Sequence, residues 1–270
     1  MGEPAPSAAT LKRSIVRVSA SGCSTLEDSV AVERPLSIRI EGRDLAVTLR
    51  TPGHDLELAL GFLAGEGLIT NRHQVRSSRE TPSDCADAPD VIDLALAPEV
   101  RFDWTRLERH FSATAACGLC GRAHLDALRA GLAPLAMTSR FAVAPLLALP
   151  ARLRERQLAF AQTGGLHAAV LCDEALEPRV VREDVGRHNA VDKVIGWRLD
   201  AEDRSELLWV SGRAGAEIVL KAARARLAVL AAVGAPSSLA IELAEAAGLT
   251  LIGFMRDARF NVYSGVGRIV

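Results

Sequence analysis

The chain has no excess of either charge. Its 32 basic and 33 acidic residues leave a net charge of −1, with a pI near 6.6. A protein that coats DNA, RNA or an anionic membrane is normally more basic, so any anion bound here must meet a local cluster of cations. Long apolar runs are also missing. The longest, Leu227 to Pro236, spans about ten residues, too few to cross a bilayer. The opening residues MGEPAPSAATLKRS hold no apolar stretch of the kind a secretory signal needs. Cysteine is scarce and odd in number, with five residues at 23, 85, 117, 120 and 172, which excludes a disulfide scaffold. These absences lead us to expect a cytoplasmic protein with neither a nucleic-acid nor a membrane partner.

What is present is ordinary globular composition. At 270 residues, 49% hydrophobic and 24% charged, the chain is long enough for one large domain or two smaller ones, and bulk disorder is excluded. Residues 1–14 are rich in Pro, Ala and Ser and read as a flexible tail. Leu36, Ile38 and Ile40 alternate with polar residues, and after a turn at 41–44 the alternation resumes with Leu45, Val47 and Leu49. This predicts a β-hairpin with one buried face. An apolar helix opens at Asp55, residues 71–90 read as a surface loop, and 91–97 as a strand. Residues 15–108 thus form a small α+β N-terminal domain, with a boundary near 100–112. From 109 to 270 the rhythm changes. Helical spacing over 145–162 is followed by strands at 166–172, 206–211, 228–233 and 250–255, which alternate with helices at 187–198, 215–226 and 238–247. That pattern predicts an α/β layered domain.

The sharpest motif is Ala115-Ala116-Cys117-Gly118-Leu119-Cys120-Gly121. Thiolate is the reactive form of cysteine, and a pair at this spacing can exchange sulfur. The flanking glycines permit close approach by another molecule. Dithiol redox, metal ligation and sulfur transfer all remain open. Cys117, Cys120 and His124 supply three zinc ligands but no second pair follows. A zinc deaminase pairs H-x-E with P-C-x-x-C, and none of the six histidines has Glu two residues on.

Three further clusters stand at strand ends. Ser211-Gly212-Arg213 marks a strand-to-helix junction of the kind that binds phosphate, although a plain tight turn fits as well. Arg187-His188-Asn189, beside Gly186, reads either as a cradle for an anion or carbonyl or as a solvated helix start. Phe254-Met255-Arg256-Asp257-Ala258-Arg259 follows the last long strand and suits a ligand carrying both phosphate and a donor-rich base, or else an ordinary charged turn. His167 heads a strand and reads as a core or rim histidine.

Taken together, AACGLCG, TGGLHAAVL, REDVGRHNAVDKVIG, SGRAGAEIVLKA, APSSLAIELA and FMRDARFNVYSG resemble the formate dehydrogenase accessory sulfurtransferase (FdhD) family, in family order over roughly residues 25–268. The resemblance implies a cytidine-deaminase-like three-layer α/β domain that lacks the deaminase proton shuttle. It also implies a sulfur carrier that takes persulfide sulfur from a cysteine desulfurase. The sulfur would pass to the molybdenum bis(guanine dinucleotide) cofactor as substrate, on behalf of apo formate dehydrogenase. Cys117 matches the family's persulfide cysteine, Cys120 its companion, and Phe254–Arg259 the segment against the guanine nucleotide. A homodimer is implied as well. We therefore expect a sulfurtransferase with GDP as a ligand analogue and no permanently bound metal. The cofactor's phosphates would lie toward Ser211, Gly212 and Arg213 or toward Ser237. Two rivals are a non-catalytic cofactor chaperone and a zinc protein using Cys117 and Cys120.

Overall fold

The computed structural model describes residues 9–85, 88–101, 104, 132–136 and 139–270. Cys117, Cys120, His124 and most of the expected domain boundary lie outside the described residues. The architecture is mixed α/β, as expected, with separate two-, four- and six-stranded sheets. No described helix is long and apolar enough to cross a membrane.

The first ribbon pairs β1 (Thr10–Ser19) with β2 (Gly22–Ala31), antiparallel. Residues 10–14 therefore correct the expected tail: the Pro/Ala/Ser composition ends before Thr10, and the β-branched Thr10, Ile15, Val16 and Val18 favour a strand once a partner supplies backbone bonds.

The four-stranded sheet runs in the order β4-β3-β6-β5. It contains β3 (Arg34–Ile40) and β4 (Arg43–Arg50), then, beyond α1 (Asp55–Gly65), β5 (Val75–Thr81) and β6 (Asp90–Leu96). The predicted hairpin forms, but only part of its expected face is buried. Leu36, Ile38, Ile40 and Leu45 are buried, whereas Val47 and Leu49 are 65% and 56% exposed. The cause is a bulge: Ile38 pairs Ala46 while Arg39 pairs Asp44, so Leu45 is an extra residue. One extra residue turns the alternation over, and Val47 and Leu49 point away from the core. β5 corrects the expected loop at 71–90. Its sequence VRSSRET is exposed after Val75 and carries no apolar alternation, yet its backbone pairs along β6 as an edge strand.

The larger unit starts with α2 (Val143–Arg154) and α3 (Leu158–Thr163), which divide the helical stretch predicted over 145–162. Then come β7 (His167–Cys172), β8 (Pro178–Asp184), α4 (Arg187–Asp200), β9 (Leu207–Val210), α5 (Ala216–Arg224), β10 (Val229–Ala232), α6 (Ser238–Ala247), β11 (Thr250–Arg256) and β12 (Arg259–Ser264). The sheet order is β12-β11-β10-β9-β7-β8. β9, β10 and β11 are parallel, and β7 is antiparallel to both β8 and β9. Strand periodicity splits the apolar residues between two faces. Ala169, Leu171, Leu208, Val210, Leu230 and Leu251 pack with α1, α4, α5 and α6, while Val170, Leu207, Trp209, Val229 and Ile252 pack with Leu146, Leu149 and Leu153 of α2. Burying each of these Val, Leu and Ile side chains stabilises by about 1.5–3 kcal/mol.

The N-terminal sheet joins this unit through α1, whose Leu58, Leu60 and Leu63 share a core with Val191, Val194 and Ile195 of α4. Much of the charged motif at 182–193 serves that junction. Asp184 and Lys193 are almost wholly buried and 2.7 Å apart. Lys193 Nζ also donates to Thr51 O, and Thr51 N donates to Asp184 Oδ2. These contacts fix where α4 starts.

Candidate functional site

Antiparallel β7 separates β8 from β9, so β8, β9, β10 and β11 all point the same way and their carboxyl ends share one edge. α4, α5 and α6 start from that edge, each following its strand. Ligands in open α/β sheets bind at such an edge, where strand ends and helix N-termini converge.

A cavity of about 640 Å³ opens there, on the α2 side of the sheet. Gly164 to His167 form one wall, Arg154 of α2 another, and Ser211 and Met255 to Asp257 the strand-end side. Of the nine nucleotide-site residues expected from sequence, the cavity brings together Ser211, Met255, Arg256 and Asp257. Phe254, Ala258, Arg259, Gly212 and Arg213 are their chain neighbours and do not line it. Met255 is fully buried and belongs to the core, so its contribution is to shape the wall. Sequence reasoning missed Arg154 and Trp209. The first sits on a helix that gave only an apolar pattern, and the second reads as one more apolar residue of a central strand. Trp209 is 2% exposed, lines the cavity, and its indole N–H has no acceptor among the described residues.

The segment Phe254–Arg259 owes its shape to an irregular hairpin. Gly253 pairs Asn261 and Arg256 pairs Arg259, so Phe254 and Met255 are unmatched in β11. Phe254, Asp257 and Ala258 all have positive φ, at 52°, 53° and 52°. Left-handed backbone at Asp257 and Ala258 is what a two-residue hairpin turn of the primed type requires. Left-handed backbone at non-glycine residues costs about 1–3 kcal/mol each, and such strain gathers at binding sites. The Phe254 N–H donates to Gly234 O, which ties the bulge to the end of β10. Gly253 has no room for a side chain: a Cβ there would lie 2.9 Å from both Pro236 and Tyr263. Arg256 lies over the Phe254 ring at 6.0 Å, with its charge largely in solvent.

The junction at 211–213 is held rigidly. Ser211 Oγ accepts from the Ala168 N–H, the Ser211 N–H donates to Ala168 O, and the Gly234 N–H donates to Gly212 O. Arg213 is exposed. The helix starts differ in what satisfies them. Ser237 Oγ accepts from the Ala240 N–H at the head of α6, whereas among the described residues no side chain caps α4 or α5.

The Arg187-His188-Asn189 cluster divides by role. Asn189 is structural, donating to Leu49 O and Asp184 Oδ1. Arg187 faces the site instead: a Cβ placed on Gly212 would sit 3.9 Å from Arg187 Cδ and 3.6 Å from His167 Nδ1. Arg187 Nε is sealed from solvent and has no acceptor among the described residues. His188 Nε2 lies 3.1 Å from Glu217. Burial pushes the pKa of both histidines below the ordinary value of 6.5. Arg187 adds to the effect, while Asp184 opposes it at His167 and Glu217 opposes it at His188.

Comparison with known proteins agrees with the sequence resemblance. The model of the FdhD/NarQ family matches residues 31–270. The chain is 47% identical to the sulfur carrier protein FdhD of Streptomyces coelicolor, an alignment covering 96% of this chain and 95% of that one. It is 44% identical to the protein of the same name from Mycobacterium tuberculosis, covering 97% and 99%. Among solved structures, a crystal structure of a protein from Desulfotalea psychrophila described as a formate dehydrogenase accessory protein matches with a TM-score of 0.78 at 25% identity, covering 97% of this chain and 100% of that one.

Proposed function

The chain belongs to the FdhD/NarQ family, and from that premise we propose that it is a sulfur carrier for the maturation of formate dehydrogenase. The thiolate of Cys117 attacks the terminal sulfur of a donor persulfide on a cysteine desulfurase. The donor's S–S bond breaks, the donor departs as a thiolate, and the sulfur remains on Cys117 as a persulfide. Cys120 relays that sulfur or resolves the persulfide after delivery. The acceptor is the molybdenum bis(guanine dinucleotide) cofactor, bound as substrate with a guanine against Phe254–Arg259.

The observation that carries the nucleotide part is the edge itself. A cavity at the carboxyl ends of β9 to β11 is bordered by Arg256 and Asp257 of a hairpin with left-handed backbone. The cavity walls supply both a cation and an acceptor, which a donor-rich base joined to phosphates would use.

The test is direct. After incubation with a cysteine desulfurase and cysteine, the peptide holding Cys117 and Cys120 should gain about 32 Da, one sulfur atom. Cys117→Ala should abolish that gain and the rescue of formate dehydrogenase activity. Full rescue by the Cys117→Ala, Cys120→Ala double variant would favour the non-catalytic chaperone instead. Stoichiometric zinc in the purified protein would favour the zinc reading of Cys117 and Cys120.

A further inference from the structure

We propose that the head of α4 forms, with His167 and Gly212, a binding site for an oxyanion of the phosphate class, held by Arg187 with His167. Where the anion is the diphosphate of a nucleotide in the adjoining cavity, the proposal rests on the nucleotide reading above. The anion site itself is tested separately from that reading.

Four observations converge. First, Nε of the partly buried Arg187 is shielded from water and has no acceptor among the described residues. A buried cationic donor with no partner is costly, and a bidentate oxyanion is the ligand that satisfies it best. Second, the missing side chain of Gly212 leaves a point within 4 Å of both the Arg187 stem and the His167 ring, so a guanidinium side chain and an imidazole flank one opening in the backbone. Third, α4 is 14 residues long and Gly186 provides no side-chain cap, so the first-turn N–H groups beside Arg187 keep donor capacity and the positive end of the helix favours an anion there. Fourth, the opening adjoins the cavity: His167 and Ser211 line the cavity, and Gly212 follows Ser211 directly.

Among the described residues, the nearby acids do not supply the missing counter-charge. Asp184 accepts from Gly186 N and Asn189 Nδ2 through Oδ1, and from Thr51 N through Oδ2, which also pairs with Lys193 Nζ. Glu217 is committed to His188, and Lys221 to Asp192. The charged groups felt by His167 are thus Arg187 and Asp184, and those felt by His188 are Glu217, Arg187, Lys221 and His167. An anion among them would favour the protonated imidazoles, so its affinity should rise as pH falls from 8 to 6.

Calorimetry with inorganic pyrophosphate, GDP and guanosine on the full chain tests this. The wild type should bind pyrophosphate, and Arg187→Gln should weaken pyrophosphate and GDP about tenfold or more, leaving guanosine unchanged. Arg187→Lys should retain part of the affinity. In the wild type, the imidazole NMR signals of His167 and His188 should titrate at higher pH with pyrophosphate present. That readout holds even where an Arg187 variant fails to fold. No binding of pyrophosphate, or equal binding by wild type and Arg187→Gln, overturns the anion site. Pyrophosphate binding that needs Arg187, in a protein indifferent to GDP, leaves the anion site standing and removes the nucleotide reading.

Discussion

Gly61 of α1 and Gly196 of α4 are reciprocal halves of one helix crossing. A Cβ on Gly61 would lie 1.8 Å from Asp192 O, and a Cβ on Gly196 would lie 1.7 Å from Glu57 O. Each glycine therefore receives the backbone of the opposite helix one turn away. Replacing either with Ala gains about 1 kcal/mol of helix propensity. Overpacking against a rigid backbone costs about 1–3 kcal/mol or more, and here the contact is with backbone rather than a movable side chain, so the clash should win. Gly61→Ala and Gly196→Ala should each lower the melting temperature. Because α4 carries Arg187 at its head, Gly196→Ala should also weaken anion binding at a site that it does not touch. A melting temperature at or above wild type would show that the crossing is looser than the geometry states.

The buried pair Asp184–Lys193 makes a second prediction. Burial pushes the Lys193 pKa down, and Asp184 opposes that. Asp184→Asn leaves an ammonium buried opposite Thr51 O without its paired carboxylate, which costs about 3–5 kcal/mol. Removing both charges, with Asp184→Asn and Lys193→Met, should recover much of the loss, because the unpaired charge is the larger cost. Denaturant midpoints for the two single variants and the double variant decide this. A strictly additive double variant would reject the pairing as the cause.

Arg182 grips Glu57 with two bonds of 2.6 and 2.8 Å across the same junction. Burial alone would raise the Glu57 pKa, but Arg182 and, after it, His54 outweigh it and the carboxyl sits below its ordinary 4.5. A carboxyl with a lowered folded pKa binds fewer protons folded than unfolded. Its stabilisation is therefore complete above pH 4.5 and is lost as pH falls through the folded value. Glu57→Gln should destabilise at pH 7 and flatten the acid side of the stability curve. Parallel curves for wild type and variant would mean that the pair contributes no pH dependence.

The strand–helix alternation after residue 166 was legible because β7, β9, β10 and β11 are buried on both faces over most of their length and each helix is bounded by small or turn residues. The first third was less so. Leu45 breaks the pattern through a bulge that only the β3–β4 register reveals, and β5 has no apolar signal because it pairs through its backbone at an edge. At the site, the Phe254–Arg259 segment stood out by its charges, but its left-handed backbone did not, since Asp257 and Ala258 carry no glycine signature. Arg187 and Asn189, two residues apart, were read as one cluster. Side-chain direction separates them, sending Asn189 to Leu49 and Arg187 toward Gly212, and spacing alone carries no such information.

The last prediction concerns which base the cavity accepts. Guanine presents donors at N1 and N2 and acceptors at O6 and N7. Asp257, beside the cavity in an exposed turn, can accept from the donors while Arg256 or a backbone N–H meets an acceptor. Adenine lacks the N1–H and N2 donors and would forgo the hydrogen bond to the charged carboxylate, a contribution of about 1.5–3 kcal/mol. GDP should therefore bind roughly tenfold or more tightly than ADP, and Asp257→Asn should narrow that ratio more than it lowers GDP affinity. The Arg256→Ala, Arg259→Ala double variant should weaken GDP while persulfide loading on the Cys117 peptide proceeds at the wild-type level, because these arginines act on the nucleotide and not on the thiol. Calorimetry showing equal affinity for GDP and ADP would move the base away from Asp257. A double variant that binds GDP like wild type would move the whole nucleotide away from the β11–β12 hairpin.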